Sequence, residues 1–196
     1  MKKIFTVFII IICGFLLCFL FTNSVNASVS KNEFFELCRT GSLEQIEDAI
    51  LSGANVNSRT DDFDNTPIMV AAGYNPDSNV VTALIDAGAI VSRKNYSDET
   101  PLMHAAGRNL NKNAIKAVLH ALVEAGDEIN AKDKGGKTPL MWAVKSANLE
   151  AVIILLSLGA DAKERDRYGT SPLDAAESKK EFRNTDAVRK LREASN

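Results

Sequence analysis

Two histidines, a Gly-Gly-Lys-Thr run, a cluster of aspartates and one cysteine beyond the apolar N-terminus are where side-chain chemistry could sit in these 196 residues. His104 and His120 are 16 residues apart and lack the i, i+4 spacing that puts two imidazoles on one helix face for a metal. Gly135-Gly136-Lys137-Thr138 looks like the end of a phosphate-cradling loop. That pattern needs a glycine five positions before Gly136, and the sequence has Ala131 there. Asp61, Asp62 and Asp64 lack the glycine and closing glutamate of a calcium loop, so a solvated turn is expected. Asn95-Tyr96-Ser97 fits a glycosylation triplet. Cys38 lies on an apolar helix face and reads as a small buried hydrophobe. No nucleophile–base set accompanies these residues. The expectation is therefore a protein that is not an enzyme, with no catalytic, cofactor-binding or metal-binding residue and no small-molecule substrate.

The N-terminus carries a different signal. Lys2 and Lys3 precede an unbroken apolar run from Ile4 to Phe21, and Val25-Asn26-Ala27 supplies small residues at −3 and −1. This reads as a secretory signal peptide over residues 1–27, cut after Ala27. The alternative is an uncleaved N-terminal anchor, since the run is just long enough to span a bilayer. Neither Cys13 nor Cys18 has the small residues before it that a lipoprotein signal shows. Removing residues 1–27 leaves 21 basic residues against 25 acidic, a net charge of −4. A nucleic-acid partner would call for a strongly basic balance, so none is expected. Cys38 alone survives processing, so no internal disulfide can form.

The chemistry-bearing residues sit within a repeating frame. Thr66-Pro67-Ile68-Met69, Thr100-Pro101-Leu102-Met103 and Thr138-Pro139-Leu140-Met141 share a template, and Ser171-Pro172-Leu173-Asp174 is a looser copy. The prolines are 34, 38 and 33 residues apart. A period in this range marks stacked units, none of which can bury its apolar face alone. Threonine can cap a helix, and a proline in the first turn costs nothing because its missing N–H would be unpaired there. So Thr66, Thr100 and Thr138 are expected to start short, alanine-rich first helices. Second helices follow from apolar stripes: Val80, Val81, Leu84 and Ile85; Ile115, Val118, Leu119, Leu122 and Val123; Val152, Ile153, Leu155 and Leu156. Gly53, Gly88, Gly126 and Gly159 follow the stripes, where a left-handed residue ends a helix. Polar segments such as Lys134-Gly135-Gly136-Lys137 then turn back toward the next Thr-Pro as a hairpin-like finger.

Helix, turn, helix, a Gly-Ala-Asp-type end and a finger before Thr-Pro-Leu together resemble the ankyrin repeat. The segment from Lys132 to Asp161 carries the resemblance best, through Asp133, Gly136, Thr138-Pro139-Leu140, Ala143, Asn148-Leu149-Glu150, Leu155-Leu156 and Gly159-Ala160-Asp161. The resemblance implies an all-α solenoid of about five helix-turn-helix units with short hairpin fingers. Its domain would span residues 31–195: an N-terminal cap at 31–57, repeats at 66–92, 100–130 and 138–162, and a C-terminal cap at 171–195. In the N-terminal cap, Phe34, Phe35, Leu37, Leu43, Ile46 and Ile50 are the expected core. The family places a histidine where this chain has Met69, Met103 and Met141, so packing is expected to replace that residue's hydrogen-bond network. Extra residues near Asn75-Pro76 and around Arg108–Asn113 are expected to bulge between helices, with Asn109, Asn111 and Asn113 in a surface loop. His104 shares its register with Val70 and Trp142 and is expected to pack between repeats, while His120 should face solvent.

The resemblance also implies a protein partner met by the finger tips and the exposed ends of the first helices. Carried over repeat by repeat, it points to Arg39, Asp62, Phe63, Tyr74, Tyr96, Arg108, Lys132, Lys134, Lys145, Arg167 and Tyr168. Phe63, Tyr96 and Tyr168 are expected on exposed turns, where aromatic residues make favoured anchors. The function expected is a non-catalytic protein-protein interaction scaffold, exported to the periplasm or secreted. The alternatives are a membrane-tethered module with its N-terminal helix uncleaved, and a secreted effector that binds a host protein.

Overall fold

The computed structural model describes residues 29–109, 111 and 114–196. The signal peptide or anchor expected at residues 1–27 therefore lies outside the described residues, as does Asn113. Among the described residues there are ten α-helices and no strand. They pair as α1 (Lys31–Thr40) with α2 (Leu43–Leu51), α3 (Pro67–Tyr74) with α4 (Ser78–Asp86), and α5 (Pro101–Arg108) with α6 (Ile115–Glu124). α7 (Pro139–Lys145) pairs with α8 (Leu149–Ser157), and α9 (Pro172–Glu177) with α10 (Asp186–Ser195). The first helix of each pair packs on the first helix of the next, and second helices stack likewise. No described helix is long and apolar enough to cross a membrane.

Helix starts follow local chemistry. Thr100, Thr138 and Ser171 each accept a hydrogen bond from the backbone N–H three residues on, and a proline occupies the first turn. Thr66 departs from the expectation. It starts α3, but its hydroxyl is buried without a partner, and its own N–H donates to Met69 Sδ at 3.4 Å. The methionine at the family's histidine position thus keeps one polar contact in this repeat rather than packing alone. Four second helices start on the capping side chains of Ser42, Asp77, Asn148 and Thr185, and α6 starts on Ala114 without one. α2, α4, α6 and α8 end, where expected, before left-handed Gly53, Gly88, Gly126 and Gly159.

The expected stripes are the core. Val80, Val81, Leu84, Ile115, Val118, Leu119, Leu122, Val152 and Leu155 are buried, with Phe34, Phe35 and Ile46 sealing the first unit. Burying each such side chain fully stabilises the stack by about 1.5–3 kcal/mol. A feature the stripe pattern missed closes the other end: a 3₁₀ turn at Lys180–Phe182 brings Phe182 into the core between α9 and α10. Cys38 is buried, and desolvation pushes its thiol up to about 12, so it is inert at neutral pH.

Asparagines join the repeats behind the first helices. Asn75 Nδ2 donates to the Cys38 and Gly41 carbonyls, Asn109 Nδ2 to Ala72, and Asn148 Nδ2 to Ala106 and Asn109. Asn75 and Asn109 are buried, so Asn109 is a stitch between units and not part of a surface loop. Asn111 Nδ2 likewise reaches back to the Pro76 carbonyl. The physical reason is that helix C-termini leave carbonyls unpaired, and an amide side chain from the next repeat can satisfy them. His120 is half-buried on α6 rather than turned fully to solvent.

Candidate functional site: the face between fingers and first helices

Each finger closes on one backbone bond and one left-handed residue. Asn95 N–H donates to the Glu99 carbonyl, Asp133 N–H to Lys137, and Asp166 N–H to Thr170. The first finger is one residue longer, running from Thr60 N–H to the Asn65 carbonyl. Asp64, Asp98, Gly136 and Gly169 hold the positive φ, each two residues before a helix cap. Successive fingers are tied by Tyr96 N–H to the Phe63 carbonyl, Lys134 N–H to Ser97 and Arg167 N–H to Gly135. The tips thus form a row. Phe63, Tyr96 and Tyr168 stand on it 61%, 60% and 77% exposed, where the sequence put them.

Below the first finger, along α1, α3 and α5, lies a cavity of about 470 Å³. Arg39, Asp62, Phe63, Tyr74 and Arg108, all named from the sequence, line it together, alongside Phe35, Val70 and His104. The Arg39 guanidinium sits 4.7 Å from the Tyr74 ring centroid, and Arg108 Nη1 donates to Tyr74 Oη at 3.1 Å. Arg108 also lies 5.8 Å from the Trp142 ring, whose other neighbour is Lys145 Nζ at 4.7 Å. A chain of cations and aromatic rings therefore runs along the ends of the first helices, each contact worth about 0.5–1 kcal/mol where exposed.

A buried polar cluster fixes this chain from beneath. Glu99 Oε2 accepts from Asn95 Nδ2 at 3.0 Å, from His104 Nε2 at 2.9 Å and from Arg108 Nη2 at 3.3 Å. Asn95 Nδ2 reaches Asn65 Oδ1 as well, and its Oδ1 accepts from the N–H groups of Ser97 and Glu99. The Asn95 amide is therefore consumed inside the finger, and the folded chain does not present it as a glycosylation acceptor. Burial alone would raise the Glu99 carboxyl. The hydrogen bonds from His104 and Asn95, and the charges beside it, outweigh that and hold it below its usual value. Burial holds His104 below its ordinary value against the opposing pull of Glu99. The imidazole is thus neutral at pH 7 and must donate Nε2–H to the carboxylate. Its Nδ1 lies near the Met69 backbone but makes no bond of good geometry. His104 does pack between repeats as expected; its hydrogen bond to Glu99 had no signal in the repeat register.

The remaining residues named from the sequence are dispersed. Lys134 and Arg167 stand at the third and fourth finger tips, and Lys145 lines a separate cavity of about 160 Å³ under them. Lys132 is engaged across repeats by Glu164 at 2.6 Å. Asp61 pairs with Lys31, while Asp62 is held below its usual value by the Phe63 N–H and Thr60. Among the described residues, no group of three or more His, Cys, Asp or Glu is placed to hold a metal.

A family model for ankyrin repeats matches residues 34–121 and 110–196, most of the chain. The chain is an ankyrin repeat protein. It is 33% identical over 119 residues to an ankyrin repeat protein of Rickettsia bellii, a match covering 59% of this chain and 64% of that one. It is 43% identical over 51 residues to an ankyrin repeat protein of fowlpox virus and 42% over 52 residues to one of Acanthamoeba polyphaga mimivirus. Those matches cover 26% of this chain but only 10% and 7% of the viral proteins. The chain thus spans less than two thirds of the length of each of these relatives. Ankyrin repeats typically bind protein partners, and the face described here is where this ankyrin array concentrates exposed aromatic and cationic side chains.

Proposed function

We propose that this protein is a non-catalytic scaffold that receives a protein partner on the face formed by its finger tips and first helices. The observation that carries the reading is the cavity under the first finger. There Tyr74, 43% exposed, is held by Arg39 and Arg108 beside exposed Phe63. Aromatic and arginine side chains fixed in place before binding lose little entropy on contact, which is the profile of an interface hot spot. Affinity capture with the chain as bait, followed by mass spectrometry, should recover a protein partner. Replacing Phe63 and Tyr74 by Ala should weaken capture at least about tenfold while leaving helicity unchanged. Capture that survives both changes would remove this face from the interaction.

The same proposal places the scaffold outside the cytoplasm, with residues 1–27 removed after Ala27, on the strength of the charged start, the apolar run and the small residues before the cut. N-terminal sequencing of the mature protein decides it: a start at Ser28 supports export with cleavage, and an intact Met1 supports a tethered module.

A further inference from the structure

The cavity under the third and fourth fingers is lined by Lys137, Lys145 and Lys179, with Asp166 as its one acidic neighbour and Met141 and Ala175 as an apolar floor. Asp166 is largely occupied. Its Oδ1 accepts from the N–H groups of Tyr168 and Thr170, and its carboxylate is 4.0 Å from Lys137 Nζ. Lys179 stands seven residues after Pro172, as Arg108 stands seven after Pro101. Arg108 is neutralised by Glu99, just before the Thr100 cap. The residue just before the Ser171 cap is Thr170, which carries no charge, and the one before Thr138 is Lys137 itself. The cavity lining therefore holds three ammonium groups against one carboxylate, with Lys134 and Arg167 on the finger tips above and the Asp133 carboxylate taken up by Trp142 Nε1 and the Gly135 and Lys137 N–H groups.

We propose that this lysine-lined cavity docks an acidic peptide segment of the partner, one with at least two Asp or Glu side chains in extended chain. This rests on the scaffold reading above and adds the chemistry of the bound segment and its location. Charge complementarity supports it: the surplus positive charge is local, in a chain whose net charge is −2. That overall balance, with Asp61 and Asp62 on the first finger of the same face, disfavours a nucleic-acid strand tracking the whole groove.

The test is fluorescence anisotropy with a short fluorescein-labelled Glu-Gly repeat peptide, a Lys-Gly repeat and an oligothymidylate of equal charge to the first. The acidic peptide should bind, weaken at least about tenfold in a Lys145→Glu/Lys179→Glu variant, and weaken further as salt rises from about 50 to about 300 mM. A Lys116→Glu/Lys163→Glu variant, with the same net charge but altered away from the cavity, should bind like the parent. Far-UV circular dichroism checks that both variants keep their helices. Equal binding by the cavity variant, equal loss in the control, or tighter binding of the oligothymidylate would each overturn the proposal. Partner capture that depends on Phe63 and Tyr74 but ignores Lys145 and Lys179 would overturn it while leaving the scaffold reading in place.

Discussion

Glu99 and Lys137 occupy the same place in successive repeats, one residue before the threonine that starts a first helix, and they do opposite things. Glu99 gathers Asn95, His104 and Arg108 into a buried cluster. Lys137 lines an open cavity and meets a carboxylate only at 4.0 Å. The aromatic at the next register position follows suit: Trp142 takes the place of His104 and donates Nε1–H to Asp133, which needs no glutamate. Both repeats nonetheless share the threonine cap, the glycine stop and the finger bond. The frame is set by caps, stops and stripes, so the charge one residue before the cap differs between these repeats while the stack stays the same.

The largest expected effect lies at the junction between the halves. Asp127 follows Gly126, where the other units have Ala54, Ala89 and Ala160. It is buried, accepts from Leu102 N–H at 2.8 Å, and leaves Oδ1 without a partner. Desolvation pushes its carboxyl from 3.8 to about 7. Because the folded state binds this proton more tightly than the unfolded one, the stability contributed is full below about pH 4. It is then lost as pH rises to about 7, on the order of 4 kcal/mol in all. Subtracting urea unfolding curves of Asp127→Asn from those of the parent should isolate that slope. A difference that stays flat between pH 4 and 7 would show that Asp127 ionises as freely folded as unfolded.

Next in size, Glu99→Ala should cost about 3 kcal/mol because it strands His104 and Arg108, whereas Lys137→Ala should cost less than about 0.5 kcal/mol. Matched losses in chemical denaturation would erase the contrast between the halves. The lowered values of His104 and Glu99 also set an acid-side trend opposite to that of Asp127. Stability from His104 falls away as pH drops below 6.5, and that from Glu99 as pH drops below 4.5. Smaller effects are expected at the glycines facing the next repeat. A Cβ on Gly107 would meet Trp142 Cε3 at 2.7 Å, while one on Gly73 meets its neighbours at an ordinary 3.5 Å. Thermal melts should therefore show Gly107→Ala destabilised by about 1–3 kcal/mol and Gly73→Ala unchanged or improved by up to about 1 kcal/mol. Smallest of all, Asp98→Gly should relieve its left-handed backbone (φ 60°) by less than about 1 kcal/mol, and Gly169→Ala should lose a similar amount.

The frame was legible because its signals are local and repeated: Thr-Pro starts, glycine stops and the stripe from Ile115 to Leu122 each depend on a few neighbouring residues. The face was legible only where exposure follows from a turn, as for Phe63, Tyr96 and Tyr168. What joined Arg39, Tyr74, Arg108 and Trp142 was contact between units, which no single repeat encodes. The same holds for Asn109, whose polar side chain suits a loop in sequence but finds carbonyls of the preceding unit in space. Phe182 escaped because it is an isolated aromatic on a 3₁₀ turn, outside any helical period.

The amides of Asn75, Asn109 and Asn148 all reach in one direction, toward the unit before them. Along this seam the side-chain donors therefore point one way, whereas Asn57 Nδ2 reaches forward to the Gly88 carbonyl along the other. Peeling the array from its C-terminal end under a pulling force hands to water the helix-end carbonyls that each departing asparagine had covered. Pulled from the other end, each departing unit leaves behind a side chain that water can readily solvate. Parting two neighbours breaks the same amide bonds from either side, so these stitches set how tightly adjacent units hold and not which end of the array opens first.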